Sequence, residues 1–378
     1  MEYKKLGDIA TYINGYPFKP EDRGECGLPI IRIQDLTGNT YDLGYYDGKY
    51  PERIEINNGD ILISWSASLG VYVWNRGKAL LNQHIFKVVF DKVEINKRYF
   101  VYAVQFKLKE MEAKTHGATM KHIVKKDFDS TLIPYPSLKE QSRIAEIIDS
   151  IAKSINMRQK QLQKLDELVK ARFVELFGDC VLNTKRWNTR RLGDIAEVGS
   201  SKRVFVEELR ESGIPFFRGT EIGALAEGKS IKPELFISGN HYKELCSATG
   251  TPNMGDLLMP SICPDGRIWV VNTTDPFYFK DGRVLWVHKI DRSYNSIFLL
   301  YTLKDRIMAD YSSIASGTTF AELKIFALKE CQIFDAPLEL QEQFAAFVTQ
   351  TDKSKAAIQK ALDETQLLFD SLMQKYFG

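Results

Sequence analysis

The feature that most constrains the fold of this chain is a seam of apolar residues that recurs at alternating steps of four and three. The seam begins at Ile144, and the same spacing returns in the second half of the chain from Phe344. A 4-3 repeat of this length is typical of a coiled coil, in which one helix packs along another. The apolar positions of the two seams are Ile144, Ile148, Ile151, Ile155, Leu162, Leu165, Val169 and Leu176, and then Phe344, Val348, Ile358, Leu362, Phe369 and Leu372.

Each seam predicts one long helix, which would measure close to 60 Å if it holds about 38 residues at about 1.5 Å per residue. Most polar seam positions, such as Arg158 and Lys355, coincide with an apolar position of the other seam when the two are aligned. This complementarity favours packing of the two helices on each other, although equal spacing alone does not prove it. We predict spacer helices at 137–180 and 337–378.

The remainder of the chain is duplicated as well. Several segments recur in the same order in both halves, and shared order is stronger evidence for a repeat than any single match. We predict two tandem globular domains, domain one at 1–136 and domain two at 185–336. The matched pairs are KLGDIA at 5–10 with RLGDIA at 191–196, LPIIRIQDL at 28–36 with IPFFRGTEI at 214–222, NGDILISW at 58–65 with MGDLLMPS at 254–261, and HGATM at 116–120 with SGTTF at 316–320.

Short strand patterns alternate with helical ones in each domain, so the expected fold class is α/β (α+β). The 378 residues approach the size limit of one core, and the 44% apolar share supports well-packed domains. The five cysteines are scattered without a C-x-x-C pair, which argues against disulfides and zinc. Because the N-terminus lacks the apolar core of a signal peptide and no apolar run reaches 18 residues, we expect a cytoplasmic protein.

The net charge of +2 neither requires nor excludes a nucleic-acid partner, so local clusters matter more. Segment 96–126 carries eight lysine or arginine residues against two glutamates, and segment 185–191 carries four and no acid. A solvated helix face and a linker would have the same composition. Two similar domains, each followed by a helix of equal length, suit a long periodic ligand, and double-stranded DNA repeats about every 34–36 Å.

The candidate DNA contacts fall into groups at strand ends and loops. Arginine suits guanine, glutamine suits adenine, and an acidic side chain can accept from cytosine, whereas glycine-flanked lysine loops suit phosphate. The alternatives are an ion pair within the domain at the strand ends, and bonds to the domain's own backbone near Gln83. The candidates are Arg32, Gln34, Asp35, Ser66, Ser68, Gln83, His84, His116, Thr119, Lys121, His122 and Lys125 in domain one, and Arg218, Thr220, Glu221, Ser261, Arg267, Thr318 and Thr319 in domain two.

No catalytic constellation is found in the sequence. The segment 275–278 (DPFY) lacks the second proline of an amino-methyltransferase loop, and neither G-x-G-x-x-G nor a P-loop is present. Pro264-Asp265 is not followed by the acidic–lysine pair of a metal nuclease, and the histidines lack ligand spacing. We therefore predict a chain that is not an enzyme and that carries no metal or cofactor.

With these features the chain resembles the specificity subunit of type I restriction–modification systems over essentially its whole length. Domain two departs from the pattern at 278–288 and after Phe320, so residue roles transfer more firmly to domain one. The resemblance rests on the KLGDIA-type opening of each half, NQHIFKV at 82–88, HGATMKHIVKKD at 116–127, and the P-x-L-x-E-Q entry into a long helix, compared at 136–141 and 337–343.

The resemblance implies two target-recognition domains that each read one half of a split double-stranded DNA site. Antiparallel coiled-coil helices would separate them and dock two adenine-methyltransferase subunits, joined in a full complex by two restriction subunits. S-adenosylmethionine, and ATP with Mg²⁺, would then act on partner chains. The alternatives are a stand-alone methyltransferase or nuclease, a coiled-coil scaffold without a DNA role, and a methylation-only or orphan subunit.

Overall fold

The computed structural model of the protein describes residues 2–39, 42–114, 123–316 and 321–378. The chain forms two compact units, the first made of Met1–Lys160 with Gln359–Gly378 and the second of Gln161–Ile358. Each unit thus contains one globular domain and a part of both long helices. Strands and helices alternate in both domains, which confirms the predicted fold class of two tandem α/β (α+β) domains with long helices.

The described part of domain one contains two four-stranded sheets. Its helices are α1 (Leu6–Ile9), α2 (Ile33–Thr37), α3 (Lys97–Lys114) and α4 (Lys125–Ser130), followed by the long helix α5 (Leu138–Phe177). Its strands are β1 (Tyr3–Lys5), β2 (Thr11–Asn14), β3 (Leu28–Ile31), β4 (Tyr45–Tyr46), β5 (Glu55–Ile56), β6 (Ile61–Ser64), β7 (Gly70–Val73), β8 (Ala79–Leu81), β9 (Ile85–Val89) and β10 (Leu132–Pro134).

The first sheet is antiparallel in the order β2-β9-β6-β7, and the second has the order β4-β3-β8-β5 with β3 and β8 parallel. Strands β1 and β10 pair separately. Strand β6 is buried on both faces because its alternate side chains point to different cores. Ile61 and Ile63 pack with α3, whereas Leu62 packs with the second sheet.

Domain two has a related arrangement. Its helices are α6 (Leu192–Ile195), α7 (Gly219–Ala226), α8 (Gly239–Thr249), α9 (Ser296–Ile314) and α10 (Ile325–Lys329), followed by α11 (Leu338–Phe377). Its strands are β11 (Thr189–Arg191), β12 (Glu197–Gly199), β13 (Ile214–Phe217), β14 (Phe236–Ile237), β15 (Leu257–Pro260), β16 (Trp269–Val270), β17 (Tyr278–Phe279), β18 (Val284–His288), β19 (Ala315–Ser316), β20 (Glu322–Leu323) and β21 (Gln332–Phe334). A four-stranded sheet has the order β12-β18-β15-β16, and a three-stranded sheet has the order β14-β13-β17 with β13 parallel to β17.

The repeated Gly-Asp pair before β6 and β15 builds the same turn in both domains. Gly59 and Gly255 adopt φ of 92° and 91°, a region that favours glycine. The carboxylate of Asp60 accepts a hydrogen bond from the backbone N–H of Asn57 at 2.8 Å. The carboxylate of Asp256 accepts one from the N–H of Asn253 at the same distance. The turn explains why this dipeptide recurs ahead of a buried strand.

The long helices run antiparallel in each unit. In the first unit Ile144 and Ile148, near the start of α5, share a core with Met373 and Phe377 at the end of α11. In the second unit the end of α5 packs on the start of α11. The predicted packing of the two helices is therefore confirmed, and every apolar seam position is buried or half-buried.

The polar seam positions pair differently from the alignment made in the sequence. Arg158 donates to the hydroxyl of Thr365, and the Lys355 ammonium lies 2.6 Å from the Asp166 carboxylate. Because the helices are antiparallel, positions at the same distance from each helix start do not face each other. The expectation that polar seam residues face apolar ones was wrong for these two contacts.

Buried glutamines fasten the long helices to their domains. The Gln141 amide accepts the N–H of Asn96 at 2.9 Å and donates to the carbonyl of Pro136, and it is fully buried. Gln341 repeats both contacts with Asn295 and Ala336 at 2.8 and 2.7 Å. Gln141 therefore corresponds to Gln341, and the Glu-Gln pairs compared in the sequence, at 140–141 and 342–343, are not equivalent.

Replacing Gln141 by alanine is expected to lower the free energy of unfolding by about 2 to 4 kcal/mol, because a buried N–H and a carbonyl each lose a partner. The Gln341→Ala variant should lose a similar amount. Urea unfolding of the full chain measures both. The matched control is Gln343→Ala, which alters an exposed side chain and should change stability by less than about 0.5 kcal/mol. Equal values for all three variants would contradict this role.

Candidate nucleic-acid interface

Three segments that follow strand ends in domain one meet at one place. The backbone N–H of Asn82, after β8, donates to the carbonyl of Ile31 at the end of β3 at 3.0 Å. The N–H of Trp65, after β6, donates to the carbonyl of His84 at 3.3 Å. The predicted residues of segments 32–35, 66–68 and 83–84 are therefore brought to one end of the parallel strand pair.

The strand predicted at 28–36 ends at Ile31, because Arg32 begins helix α2. The Asp35 carboxylate accepts the N–H of Arg32 at 2.8 Å and lies 3.4 Å from its guanidinium. Asp35 is 1% exposed. It caps a helix and forms the ion pair considered as the alternative, and its contact with a base stays a prediction. Gln34 is half-buried beside it.

His84 lies in an unusual backbone conformation, with φ of 71°. Its ring packs edge-on against Trp65 with centroids 5.0 Å apart. Its Nδ1 is buried without a hydrogen-bond partner in the described part of the chain. Residues with strained backbone conformations are enriched at functional sites. Gln83 beside it is exposed, while the Asn82 amide oxygen accepts the Gln83 N–H at 2.9 Å.

The other candidates of domain one differ from each other in exposure and in ion pairing. Ser66 is buried and Ser68 is exposed in the turn between β6 and β7. The Lys125 ammonium pairs with the Asp129 carboxylate at 2.6 Å, four residues along α4, as expected for a solvated helix face. His116, Thr119, Lys121 and His122, and Thr318 and Thr319 of domain two, lie outside the described residues.

Four of the seven candidates in domain two lie along one open cleft with a volume of about 460 Å³. Arg218, Thr220, Ser261 and Arg267, four residues singled out from the sequence, line it together. The other lining residues are Gly219, Pro260, Ile262, Lys280 and Arg283. Four cationic side chains and no acidic one therefore face this space, which suits the negatively charged surface of nucleic acid.

Acidic residues hold the arginines of the cleft from positions that do not line it. Arg218 pairs with Glu221 at 2.5 Å and with Glu234 at 3.0 Å. Arg267 lies 2.8 Å from Asp265, and Arg283 pairs with Glu322. The pairs of Arg267 with Asp265 and of Arg283 with Glu322 are partly exposed, and such pairs add little stability. Their main effect is to fix the direction of each guanidinium.

Glu221 stays ionised at neutral pH. Burial alone would raise the pKa of its carboxyl, but hydrogen bonds from the Arg218 side chain and backbone N–H outweigh burial and lower the pKa to about 2. The same contact raises the pKa of the Arg218 guanidinium. Glu221 caps α7 as Asp35 caps α2, and its side chain is only 12% exposed. It therefore orients Arg218, and its own contact with a base stays a prediction.

Two cationic residues that line the cleft, Lys280 and Arg283, were not among the candidates chosen from the sequence. The N–H of Lys280 donates to the carbonyl of Phe217 as Asn82 does to Ile31, and the carbonyl of Arg283 accepts from Ser261 as His84 does from Trp65. Lys280 and Arg283 thus occupy the places of Asn82 and His84. The signal was present in segment 278–288, which aligns with NQHIFKV but shares few residues with it.

The described residues contain no group of three or more His, Cys, Asp or Glu that could hold a metal ion. No described helix is long and apolar enough to cross a membrane. The cysteines are free, and burial raises the pKa of the Cys180 thiol to about 12. The cationic and hydroxyl side chains that line the cleft are suited to binding anionic or polar groups.

The sequence pattern of the type I restriction modification DNA specificity domain matches residues 1–167 and again 184–365. The type I restriction enzyme EcoBI specificity subunit of Escherichia coli is 31% identical over 168 residues, which are 44% of this chain and 35% of that protein. The MjaVIII specificity subunit of Methanocaldococcus jannaschii is 25% identical over 391 residues, which cover 95% of this chain and 89% of that one.

Two solved structures share the fold along the whole chain. The S subunit of a type I restriction–modification system from M. genitalium superposes with a TM-score of 0.55 at 16% identity, covering 100% of this chain and 96% of that one. A chain from a study of complex assembly and conformational transition of the type I R-M system gives a TM-score of 0.56 at 17% identity, with 100% and 97% covered.

Proposed function

The chain belongs to the type I restriction modification DNA specificity family, and we propose that it reads a split double-stranded DNA sequence, one half with each domain. On this proposal it is a non-catalytic subunit that docks two adenine-methyltransferase subunits, and two restriction subunits in a full complex. S-adenosylmethionine, and ATP with Mg²⁺, would be bound by those partners.

The observation that carries the proposal is the cleft of domain two. Four residues chosen from the sequence for base or phosphate chemistry line one space, and two further cations join them. The cleft is open, so a large ligand can reach Arg267 and Lys280. Guanidinium and ammonium groups directed by a rigid sheet are suited to phosphate contact and to guanine in the major groove.

Equivalent positions of the two domains differ in chemistry, which supports two unlike half-sites. Trp65 corresponds to Ser261, Asn82 to Lys280 and His84 to Arg283 by their backbone bonds. A reader of identical half-sites would keep the same side chains at these positions. The proposed DNA target is therefore asymmetric.

The outer faces of the two long helices support a docking role. Leu168 and Leu368 occupy equivalent positions and are 49% and 50% exposed. Contiguous exposed apolar patches mark protein-binding surfaces, and on this proposal the two leucines belong to such a surface once a partner is bound. Equivalent leucines on both helices suit two copies of one partner.

The proposal is tested by a long-read map of modified adenines in cells that express this chain together with the methyltransferase encoded beside it. Modification is expected at a split motif with two unlike halves, and only when both chains are present. The control strains express either chain alone.

A continuous motif would overturn the assignment of one half to each domain. A stable complex that binds DNA without sequence preference would overturn base reading. If the isolated chain modified DNA by itself, the chain would be an enzyme and the assignment of chemistry to a partner would be wrong.

A further inference from the structure

Lys280 differs from the other cations of the domain two cleft. Arg218, Arg267 and Arg283 each pair with an acidic residue of the same domain. Lys280 is exposed and makes no ion pair within the described residues. Its ammonium therefore keeps three N–H donors available to a ligand, whereas the guanidinium groups are already partly satisfied.

The backbone of Lys280 is hydrogen-bonded to the neighbouring strand β13. Its N–H donates to the carbonyl of Phe217 at 2.9 Å, directly after β17, which is parallel to β13. Asn82 is fixed in the same way to Ile31 in domain one. The two domains therefore carry different side chains at structurally equivalent backbone positions.

We propose that Lys280 reads a guanine in the half-site of domain two. The inference rests on the proposed function and adds to it the base class recognised at one position. Guanine presents two acceptors, O6 and N7, in the major groove, and lysine or arginine is the usual side chain that contacts them. A phosphate contact is needed by both domains and would favour a cation in both, but domain one has a neutral amide at this position.

The test replaces Lys280 by asparagine, the residue that domain one carries at the equivalent position. The Lys280→Asn chain is assembled with its methyltransferase, and modified adenines are mapped beside those of the wild-type complex. The wild-type complex is expected to require guanine at one position of one half-site. The variant is expected to accept other bases at that position. Affinity for the wild-type site should fall roughly 5- to 150-fold, while the other half of the motif stays the same.

The matched control is Lys232→Asn, which removes an exposed lysine that neither lines the cleft nor pairs with an acid of the described chain. It should leave the motif and the affinity unaltered. Equal thermal unfolding of both variants and the wild type would show that the fold is intact.

Two outcomes would overturn the inference while the proposed function stands. The variant could keep the full motif and lose affinity equally for every sequence, with a salt dependence lower by about one unit, which is the behaviour of a phosphate contact. It could also behave as wild type. If the wild-type complex itself shows no split motif, the proposed function fails instead.

Discussion

Exchanging domain one (1–136) for the corresponding domain of a family member with a different target is expected to replace one half of the recognised sequence and to leave the other half unchanged. Each domain has its own sheets and its own candidate contacts, so each should read DNA independently. Specific binding exceeds non-specific binding typically by about 10³- to 10⁷-fold, and the replaced half carries a large share of that preference. The expected effect is therefore loss of the original site.

The structure dictates how this exchange must be made. Tyr99 and Phe106 of α3 contact Phe377, with ring centroids 5.1 and 6.5 Å apart. The grafted domain should keep Tyr99, Phe100 and Phe106 of this chain, so that the end of α11 retains its packing surface. Mapping of modified adenines measures the result, and a graft of the chain's own domain is the control. A change in both halves would contradict independence of the domains.

Replacing Phe377 by alanine is expected to lower the free energy of unfolding by about 3 to 5 kcal/mol. Phe377 is fully buried in the core of the first unit, where it packs with Tyr99 and Ile144. Removing the ring leaves a cavity that fixed neighbours cannot fill. The loss of stability should be confined to the first unit, which contains Phe377. The urea unfolding curve of the variant should therefore become biphasic, or its midpoint should shift to a lower urea concentration.

Urea unfolding followed by tryptophan fluorescence measures this effect. The control is Leu367→Ala on the same helix, since Leu367 is 71% exposed and should contribute less than about 0.5 kcal/mol. A Phe177→Ala variant provides the counterpart, because Phe177 is buried in the second core among Phe298 and Phe344. If Phe377→Ala were as stable as Leu367→Ala, the helix end would not be part of the core.

The long helices were predictable because their signal is local and long. The seam repeats at fixed spacing, and Phe177 and Phe377 end the helices at matching positions. The direction of packing did not follow from the spacing. A parallel and an antiparallel pair have the same heptad pattern, and the contacts between opposite helix ends, such as Ile144 with the end of α11, distinguish them.

Short helices were harder to predict because they depend on caps. Helix α2 has five residues and is held by the Asp35 carboxylate on the Arg32 N–H. The polar residues that looked like ligand contacts at the strand end are in part its caps. Helix α8 begins after Ser238, whose side chain accepts the N–H of His241 at 3.2 Å, and this N-cap signal was present in the sequence.

The sequence indicated residues of the cleft only where a polar side chain comes after an apolar strand. Arg218, Ser261 and Arg267 were found because they follow apolar strands. Lys280 was missed because its loop is one residue longer than the loop after β8 and carries different residues. Its place became clear only from the bond to Phe217, which links residues far apart in the sequence.

The division of both helices between the two units has a consequence for synthesis of the chain. The second unit is one continuous stretch, Gln161–Ile358, whereas the first needs Gln359–Gly378 to cover Ile144 and Ile148. The ribosome adds about 5–20 residues per second, so the first domain waits roughly 10 to 40 s for its last segment. The domain made first is thus completed last, and a chain released early lacks a finished core in that domain. Premature products should be recognised by chaperones and proteases through this open apolar surface.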